Sequence, residues 1–305
     1  YEYEVGDEGN EKIIYCTAAL GIVHDLSTNT QRTFCGHDDD ITCISLAPGS
    51  LGLVATGQLG RSPYICIWDC SCLPPSPISS SNSFSQKNNS QFSHNYNVSR
   101  TGLVCSIGKG FFQRAVCAIC FSYDGKYLCA IGCDDHHSLG IWEIGTGTLV
   151  AQGSSCNGTP PQICSLSYCP LPQFASAINK EHNGLTDTFC TAGVRHLKFW
   201  SFIRPSQQKD EQMINQLSLT MKTGTMGKVS AERPKTYLCS IYIPTILPSS
   251  STLHTQPLTS PARNIDISIV PPSIIYDILL GADNGWLYLF HQTVCIKAID
   301  LTSYG

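Results

Sequence analysis

Charged side chains are scarce in this chain of 305 residues. Asp, Glu, Lys and Arg make up 14% of it, and the net charge is −4, whereas charged residues reach about 25% in ordinary globular proteins. A protein that binds nucleic acid or an anionic membrane by electrostatics carries a basic surface. The composition therefore argues against both kinds of partner.

Long apolar runs are missing as well. The longest, residues 237–247, is interrupted by Pro244 and is too short to span a bilayer, which takes about 20 residues of helix. A positively charged and apolar leader is not found at the start. Together with an odd number of cysteines, seventeen, these absences predict a protein of the reducing cytoplasm.

Helical periodicity is nearly absent, and a blade-like unit of short strands recurs four times in its place. In the first unit, Gly36 and His37 precede Trp68 and Asp69, and His37 lies 31 positions before Trp68. Such paired dipeptides bracket one four-stranded blade in WD repeats. Each unit places an aromatic residue at the same point of its third strand, namely Trp68, Trp142, Trp200 and Phe290. The sequence therefore predicts an all-β propeller of the WD-repeat type.

Two further strands can be followed through all four units. The innermost strands, in which apolar positions flank small ones, are predicted at residues 41–46, 116–121, 163–168 and 238–243. Each second strand ends on a glycine, at Gly57, Gly132, Gly193 and Gly281. We expect these glycines to supply the positive φ of a tight turn.

Cysteine takes part in this repeat as a small strand residue. Cys117, Cys164 and Cys239 occupy the same position of the predicted innermost strand, which favours a packing role over a chemical one. Cys117 and Cys120 have the spacing of half a zinc site, but on a strand their side chains point to opposite faces, and no second pair follows at ligand spacing. We expect no metal and no cofactor.

The units divide the chain into segments. Residues 1–30 precede the first unit, and the units span residues 31–72, 101–145, 146–203 and 217–292, with residues 293–305 as the start of the next. Segments rich in Pro, Ser, Asn or other polar residues interrupt them at residues 73–100, 205–216 and 245–272. Their composition favours disordered insertions over a second domain.

Five segments carry a more specific pattern than the dipeptides alone. They are residues 36–41 (GHDDDI), 55–58 (ATGQ), 63–69 (PYICIWD), 192–200 (AGVRHLKFW) and 224–228 (GTMGK). In this order they resemble the echinoderm microtubule-associated protein-like family. The similarity runs from about residue 13 to residue 298, with the three insertions unmatched.

This resemblance implies more than the repeat does. It implies a propeller of seven blades, the first of a tandem pair, so that four to five blades lie here and the others belong to the same full-length chain. It implies that residues 1–30 hold a remnant of the family's hydrophobic motif with starter strands. It also implies a non-catalytic module associated with tubulin and microtubules, although the family's coiled-coil and basic amino-terminal region is not matched.

His37, Thr56 and Trp68 match a hydrogen-bonded network that stabilises a WD blade, because a loop imidazole can link the hydroxyl and the indole N–H of neighbouring strands. The Asp that usually completes this network is missing, and residues 58–63 form a longer turn instead. We therefore expect the first unit to be less tightly held than a standard blade. The residues interpreted as structural are Gly36, His37, Thr56, Trp68, Asp69, Trp142, Trp200 and Phe290.

Acid and imidazole groups are most concentrated at Asp134, Asp135, His136 and His137. A metal or hydrolytic site would need converging partners, and the sequence shows no ordered nucleophile, base and acid, no phosphate-binding glycine loop and no paired carboxylates. An exposed turn in which Asp134 caps the backbone is the better interpretation. We expect no enzyme activity.

The loops on one face of a propeller commonly carry its function. Loops that enter the innermost strands and loops that join second to third strands should share a face. Eleven of their residues form the candidate partner surface: Asp38, Asp39, Asp40, Arg61, Asp134, Asp135, His136, His137, Arg195, His196 and Lys228. Mixed charge favours a protein partner, although a merely solvated face is an equal alternative for any single residue.

Two functions are consistent with these observations. The first is a cytoplasmic module of the microtubule cytoskeleton that binds tubulin or microtubules, with other cytoskeletal proteins as further candidate partners. The alternative is a general WD-repeat scaffold or adaptor of a multiprotein complex without affinity for tubulin. The string GVRHLKFW at residues 193–200 favours the first, because generic WD repeats have Asp-Gly ahead of this tryptophan.

Overall fold

The computed structural model describes residues 3–7, 10–49, 52–74, 101–156, 162–170, 173–174, 185–204, 217–246 and 274–304. Within these ranges the chain forms β-strands, turns and two short 3-10 segments, Cys70–Cys72 and Thr302–Tyr304, but no α-helix. Among the described residues there is accordingly no helix of the length and apolarity that crossing a bilayer requires. The prediction of an all-β fold is confirmed.

The strands form five antiparallel blades in chain order. Blade 1 contains β1 (Tyr3–Asp7), β2 (Asn10–Thr17), β3 (Leu20–Asp25) and β4 (Thr30–Phe34). Blade 2 contains β5 (Ile41–Leu46), β6 (Leu53–Gly60), β7 (Ile65–Asp69) and β8 (Leu103–Ile107). Blade 3 contains β9 (Arg114–Phe121), β10 (Tyr127–Gly132), β11 (Ser138–Glu143) and β12 (Thr148–Ser154).

The remaining strands complete the last two blades. Blade 4 contains β13 (Ile163–Tyr168), β15 (Leu185–Gly193), β16 (His196–Ile203) and β17 (Leu219–Thr223), and the short β14 (Gln173–Phe174) pairs with β15. Blade 5 contains β18 (Tyr237–Ile246), β19 (Ile274–Ala282), β20 (Trp286–His291) and β21 (Val294–Asp300). Each aromatic residue that marks a repeat unit therefore lies on the third strand of its blade.

The blades are offset by one strand from the predicted units. Residues 101–145 begin with β8, which pairs with β7 and so closes blade 2. Residues 293–305 were expected to start another blade, but β21 pairs with β20 and closes blade 5. Residues 1–30 are more than starter strands, since β1 to β4 form a complete sheet. Sequence reasoning missed this blade because β3 (LGIVHD) lacks the marker aromatic.

The three predicted insertions fall almost wholly outside the described residues. Leu73 and Pro74 are described and follow the 3-10 segment at Cys70–Cys72. Thr245 and Ile246 were assigned to the third insertion, but they end β18, where they pair with Ile275 and Ile274. The insertion therefore begins later than the composition indicated.

The glycines that end the second strands have a different purpose from the expected one. None of Gly57, Gly132, Gly193 and Gly281 has a positive φ, so the expectation of a left-handed turn is wrong. Each lies beside a register shift in the pairing with the innermost strand, where the backbones approach closely. A Cβ at Gly57 would lie 2.8 Å from the Val116 side chain, and one at Gly193 would lie 2.1 Å from the Gln162 carbonyl oxygen. Glycine is required by space at these bulges.

The innermost strand of blade 5 is shifted by one residue from the predicted alignment. Tyr237 pairs with Ala282 and is 7% exposed, so it takes the position that Ile163 has in blade 4. The predicted alignment gave the apolar positions of this strand to Leu238 and Ile241, but these side chains are 52% and 60% exposed. The apolar spacing predicted the wrong alignment because Tyr237, which the pattern did not include, fills the buried position.

Apolar side chains pack between successive blades, as each blade of a repeat fold buries its faces against its neighbours. Between blades 1 and 2, the ring of Trp68 stacks on Phe34 with centroids 4.7 Å apart and planes 6° from parallel. Ile65 and Ile67, on the side of blade 2 that faces blade 3, are fully buried. Leu287 and Leu289, the corresponding residues of blade 5, are only half-buried, and no described strand covers that side.

Candidate functional site

Backbone hydrogen bonds join the loops of the predicted partner face. The amide of Leu59, at the end of β6, donates to the carbonyl of Asp40 at 2.9 Å. The amide of Cys133 bonds Ala115 in the same way at 2.9 Å in blade 3. Loops that enter innermost strands therefore do meet loops that join second to third strands, as the topology predicted.

The eleven candidate side chains are not all available on this face. Exposed or half-buried are Asp38, Asp39, Asp40, Arg61, Asp135, His136, Arg195 and Lys228. Three others are buried, with exposed fractions of 3% for Asp134, 2% for His137 and 3% for His196. The expectation that these three contact a partner is not supported, because their polar atoms serve the fold.

The buried Asp134 organises its own turn. Its Oδ1 accepts hydrogen bonds from the amides of His136 at 3.1 Å and Ser138 at 3.0 Å, and also from the Ser138 hydroxyl at 3.0 Å. The prediction that Asp134 caps the backbone is confirmed, but its carboxylate is buried rather than exposed. His137 has φ +44° and places Nδ1 2.8 Å from the Gly132 carbonyl oxygen. Neither group points outward to a ligand.

Asp135 is exposed and forms an ion pair with Arg114. Its Oδ1 lies 2.8 Å from the Arg114 guanidinium, with both side chains about 60% exposed. Such a solvated pair contributes less than about 1 kcal/mol to stability. Asp135 and Arg114 can therefore separate and form ion pairs with a partner at little cost in free energy.

Lys228 lies in a loop that is held to the outer hairpin of blade 5. The amide of Thr225 donates to the Thr293 carbonyl at 2.9 Å, and the amide of Cys295 donates to the Thr225 carbonyl at 2.8 Å. A Cβ at Gly227 would lie 2.7 Å from the Cys295 carbonyl oxygen. Lys228 is thus presented on a fixed backbone at the blade 4 to blade 5 boundary.

The predicted network of blade 2 is present and contains an additional residue. His37 Nε2 accepts from the Thr56 hydroxyl at 2.7 Å, and the Trp68 indole N–H donates to the same hydroxyl at 3.0 Å. His37 Nδ1 donates to Gln58 Oε1 at 2.7 Å, and Gln58 Nε2 donates to Asp38. Gln58 is 2% exposed and takes the place of the missing Asp. Burial lowers the pKa of His37, although the hydrogen bond that His37 donates to Gln58 acts in the opposite direction.

Blade 4 builds the same network from a residue that sequence reasoning assigned to the surface. His196 Nε2 lies 2.8 Å from the Thr191 hydroxyl, and the Trp200 indole N–H donates to that hydroxyl at 3.0 Å. His196 begins β16, so its imidazole comes from the hairpin itself rather than from the preceding loop. The signal was available in the sequence, since threonine and histidine flank the Gly-Val-Arg turn just before Trp200.

The buried His196 makes stability depend on pH. Burial, together with the charges of Lys198 and His137, lowers the pKa of His196 from 6.5 to about 3. Below pH 6.5 the unfolded chain binds a proton at this imidazole that the folded chain does not bind until about pH 3. The contribution of His196 to stability is therefore fully present above pH 6.5 and is lost as the pH falls towards 3.

We expect His196→Gln to weaken this acid sensitivity while keeping a partner for the Thr191 hydroxyl. Melting temperatures measured between pH 7 and pH 4 should fall less steeply for the variant than for the unmodified protein. The control, His136→Gln, changes an exposed side chain of the neighbouring blade and should retain the original profile. Parallel profiles for His196→Gln and the unmodified protein would contradict the assignment.

A buried ion network joins blades 3 and 4 and was not anticipated. The Arg204 guanidinium forms ion pairs with Asp187, which is 0% exposed, and with Asp124 in the turn between β9 and β10, where Nη1 lies 2.5 Å from Oδ2. The same guanidinium lies 4.8 Å from the ring centroid of Tyr123 and 5.1 Å from that of Tyr127. Arg204 therefore fastens two blades together.

The charges of this network are matched to one another. Burial opposes the charged form of Asp124, but hydrogen bonds from Arg204 and Ser122 outweigh it and lower the pKa of that carboxyl. Burial raises the pKa of Asp187, and the Arg204 hydrogen bonds oppose that shift. The two carboxylates in turn raise the pKa of Arg204 in spite of its burial. The charges of Arg204, Asp124 and Asp187 therefore pair with one another, and we interpret the network as structural.

Burial makes several of the thiols unreactive. Burial raises the pKa of Cys43 and Cys66 to about 12 and that of Cys105 to about 11, and thiols in that range are poor nucleophiles near neutral pH. The pKa of Cys133 is lowered, first by a hydrogen bond from Cys117. Among the described residues, no group of three or more His, Cys, Asp or Glu side chains is arranged to hold a metal ion.

Comparison with known proteins agrees with this architecture. Residues 28–69 match the family described as WD domain, G-beta repeat, and they include the stretch from the loop before β4 to the end of β7. The chain is therefore a WD-repeat protein with a β-propeller architecture.

Similarity to individual proteins is more specific than the match to the WD repeat. Echinoderm microtubule-associated protein-like 2 of Mus musculus is 22% identical over 242 residues, which cover 76% of this chain and 28% of the relative. The corresponding protein 1 of Rattus norvegicus is 25% identical over 236 residues, covering 74% and 22%. Protein 4 of Homo sapiens is 24% identical over 242 residues, covering 76% and 19%. The resemblance to the echinoderm microtubule-associated protein-like proteins is thus confirmed, and the chain spans between 19% and 28% of the length of these relatives.

One chain of the crystal structure of the mitotic checkpoint complex aligns with 98% of this chain and with 63% of its own length. The TM-score is 0.48 and the sequence identity is 11%.

Proposed function

We propose that this chain is a non-catalytic module that binds tubulin or microtubules in the cytoplasm and contributes to the organisation of the microtubule cytoskeleton. The observation that carries the proposal is its similarity to microtubule-associated protein-like proteins over about three quarters of its length. The loop-bearing face with exposed charges of both signs supports binding to a protein. The buried imidazole and carboxylate groups support a non-catalytic role, since each serves a structural hydrogen bond.

A second candidate function is a general WD-repeat scaffold without affinity for tubulin. An apolar groove of about 300 Å³ on blade 5, lined by Leu238, Leu287 and Leu301 among others, offers such a scaffold a contact surface. Leu238 and Leu301 are 52% and 44% exposed. Exposed apolar surface of this kind is typical of contacts between proteins.

Sedimentation of the intact protein with purified tubulin and with assembled microtubules tests the first function. Each mixture is examined at two salt concentrations, because contacts between exposed charges weaken as ionic strength rises. Comigration that decreases with salt supports tubulin binding and tells which form is the partner. A folded sample that comigrates with neither form favours the scaffold.

Charge reversal at Arg195 and Lys228 is expected to weaken that comigration. Both side chains are exposed, and both would repel an acidic partner after Arg195→Glu and Lys228→Glu. The control carries the same change of charge away from this face, with Lys12→Glu and Lys126→Glu, which lie near the starts of the second strands of blades 1 and 3. We expect the first variant to bind less than the control while melting at a similar temperature. Equal binding by the two variants would remove Arg195 and Lys228 from the contact.

A further inference from the structure

Charge is distributed unevenly along the blades. Residues 185–204 and 217–246, which form blade 4 and the first strand of blade 5, contain seven Lys and Arg residues but two Asp and Glu residues. The complete chain has a net charge of −4. The basic excess is therefore local, and a local excess of one sign indicates the charge of a partner.

Backbone contacts gather four of these cations at one edge. The amide of Arg195, in the turn between β15 and β16, donates to the carbonyl of Lys235 at 2.7 Å, and Val194 forms a β-bridge with Thr236. The turn of blade 4 and the segment that leads into β18 are thus fastened together. Arg195 has φ +50°, which is a common conformation in a tight hairpin turn.

Tyr237 locates the other two cations. Burial raises the pKa of Tyr237, and the positive charge of Arg233 acts on that pKa in the opposite direction. The Tyr237 hydroxyl also lies 3.8 Å from the Met226 sulfur, and Lys228 follows two residues later. Arg233 and the loop that carries Lys228 therefore both lie near the same buried tyrosine. We call the set Arg195, Lys228, Arg233 and Lys235 the basic edge.

The basic edge is available for a partner. All four side chains are exposed, and among the described residues none of them has a carboxylate within 4.0 Å. Arg204, by contrast, is committed to Asp187 and Asp124. Exposed carboxylates nearby belong to Glu232 and Asp283, so the cations remain in excess.

We propose that the basic edge docks an acidic, extended segment of a partner protein. This inference rests on the proposed function in that it names the chemistry of the partner for the same propeller face. A short acidic peptide fits a small patch at a blade boundary, whereas a long polyanion would also meet Asp38, Asp39 and Asp40 on the same face and be repelled. Several separate cations suit a row of carboxylates better than a single phosphate group.

The test measures binding of a fluorescein-labelled peptide of ten glutamates to the intact protein by anisotropy at two salt concentrations. The variant Arg233→Glu with Lys235→Glu is compared with the control Lys12→Glu with Lys126→Glu, which lie near the starts of the second strands of blades 1 and 3. We expect salt-sensitive binding that is about tenfold weaker in the first variant and nearly unchanged in the control, because charge reversal at exposed sites acts locally. Similar melting temperatures for the two variants show that folding is not the cause.

Other results would overturn the inference. Absence of peptide binding by the unmodified protein, or equal losses in both variants, excludes a specific acidic-peptide site. Stronger binding of a single-stranded oligonucleotide or of vesicles rich in anionic phospholipid than of the peptide assigns the edge to a different partner. Tubulin sedimentation separates this inference from the proposed function. If the variant loses peptide binding but still sediments with tubulin, the inference of an acidic-peptide site is supported and tubulin binds elsewhere on the protein. If the unmodified protein binds the peptide but does not bind tubulin, only the proposed function is contradicted.

Discussion

Replacement of Trp68 with alanine is expected to destabilise the protein by about 3 to 5 kcal/mol, the cost of truncating a buried tryptophan. Trp68 is 0% exposed and stacks on Phe34 across the boundary between blades 1 and 2. Its indole N–H also bonds the Thr56 hydroxyl that His37 uses. The substitution therefore opens a cavity between two blades and removes a donor from the network. Chemical denaturation followed by intrinsic fluorescence and circular dichroism measures the loss.

Trp286→Ala provides the matched control. Trp286 begins β20 and is only half-buried, so its truncation removes less packing and should cost clearly less. Trp68→Phe retains a ring to stack on Phe34 but loses the N–H, and it should lie between the two. Equal losses for Trp68→Ala and Trp286→Ala would show that Trp68 does not anchor the boundary between the blades.

Arg204→Met is expected to be about as damaging, at about 3 to 5 kcal/mol, because it leaves the buried Asp187 carboxylate without its cation. Asp124 loses the same partner, so blades 3 and 4 lose their shared fastening. The double variant Arg204→Met with Asp187→Leu removes the isolated buried charge and should recover part of the stability. Thermal and chemical denaturation of both variants measures the difference.

The exposed ion pair gives the contrast for this experiment. Arg114→Met breaks the pair with Asp135, in which both side chains are about 60% exposed, and should change stability by less than about 1 kcal/mol. Arg204 would be an ordinary surface cation if its replacement cost no more than that of Arg114. The double variant would then show no recovery relative to Arg204→Met.

The sequence predicted the architecture because the repeat places apolar and aromatic residues at fixed points of each blade. Trp68, Trp142, Trp200 and Phe290 all lie on third strands, and each is at most 3% exposed. The pattern failed in blades that lack the aromatic residue of the third strand or the usual apolar spacing of the innermost strand. Blade 1 has no aromatic in β3, and in blade 5 the apolar spacing of Leu238 and Ile241 concealed the buried Tyr237.

The site was less predictable, because function and structure draw on the same polar residues. Asp134, His137 and His196 stand in loops by sequence, yet each is buried through a hydrogen bond formed within its turn or hairpin. Gln58 replaces an aspartate in the network of blade 2, which local pattern cannot show. The pairing of Arg204 with Asp124 joins residues 80 positions apart, and such a contact exists only once the blades are stacked.

The two histidine networks differ in their tolerance of changes in chain length. In blade 2 the imidazole precedes its threonine by 19 residues, since His37 lies in the segment that leads into β5. In blade 4 it follows its threonine by five residues, within one hairpin. Lengthening or rewriting the segment ahead of β13 therefore leaves the bond between Thr191 and His196 intact, whereas the same change ahead of β5 displaces His37. Blade 4 can accommodate evolutionary insertions at its entrance that blade 2 cannot.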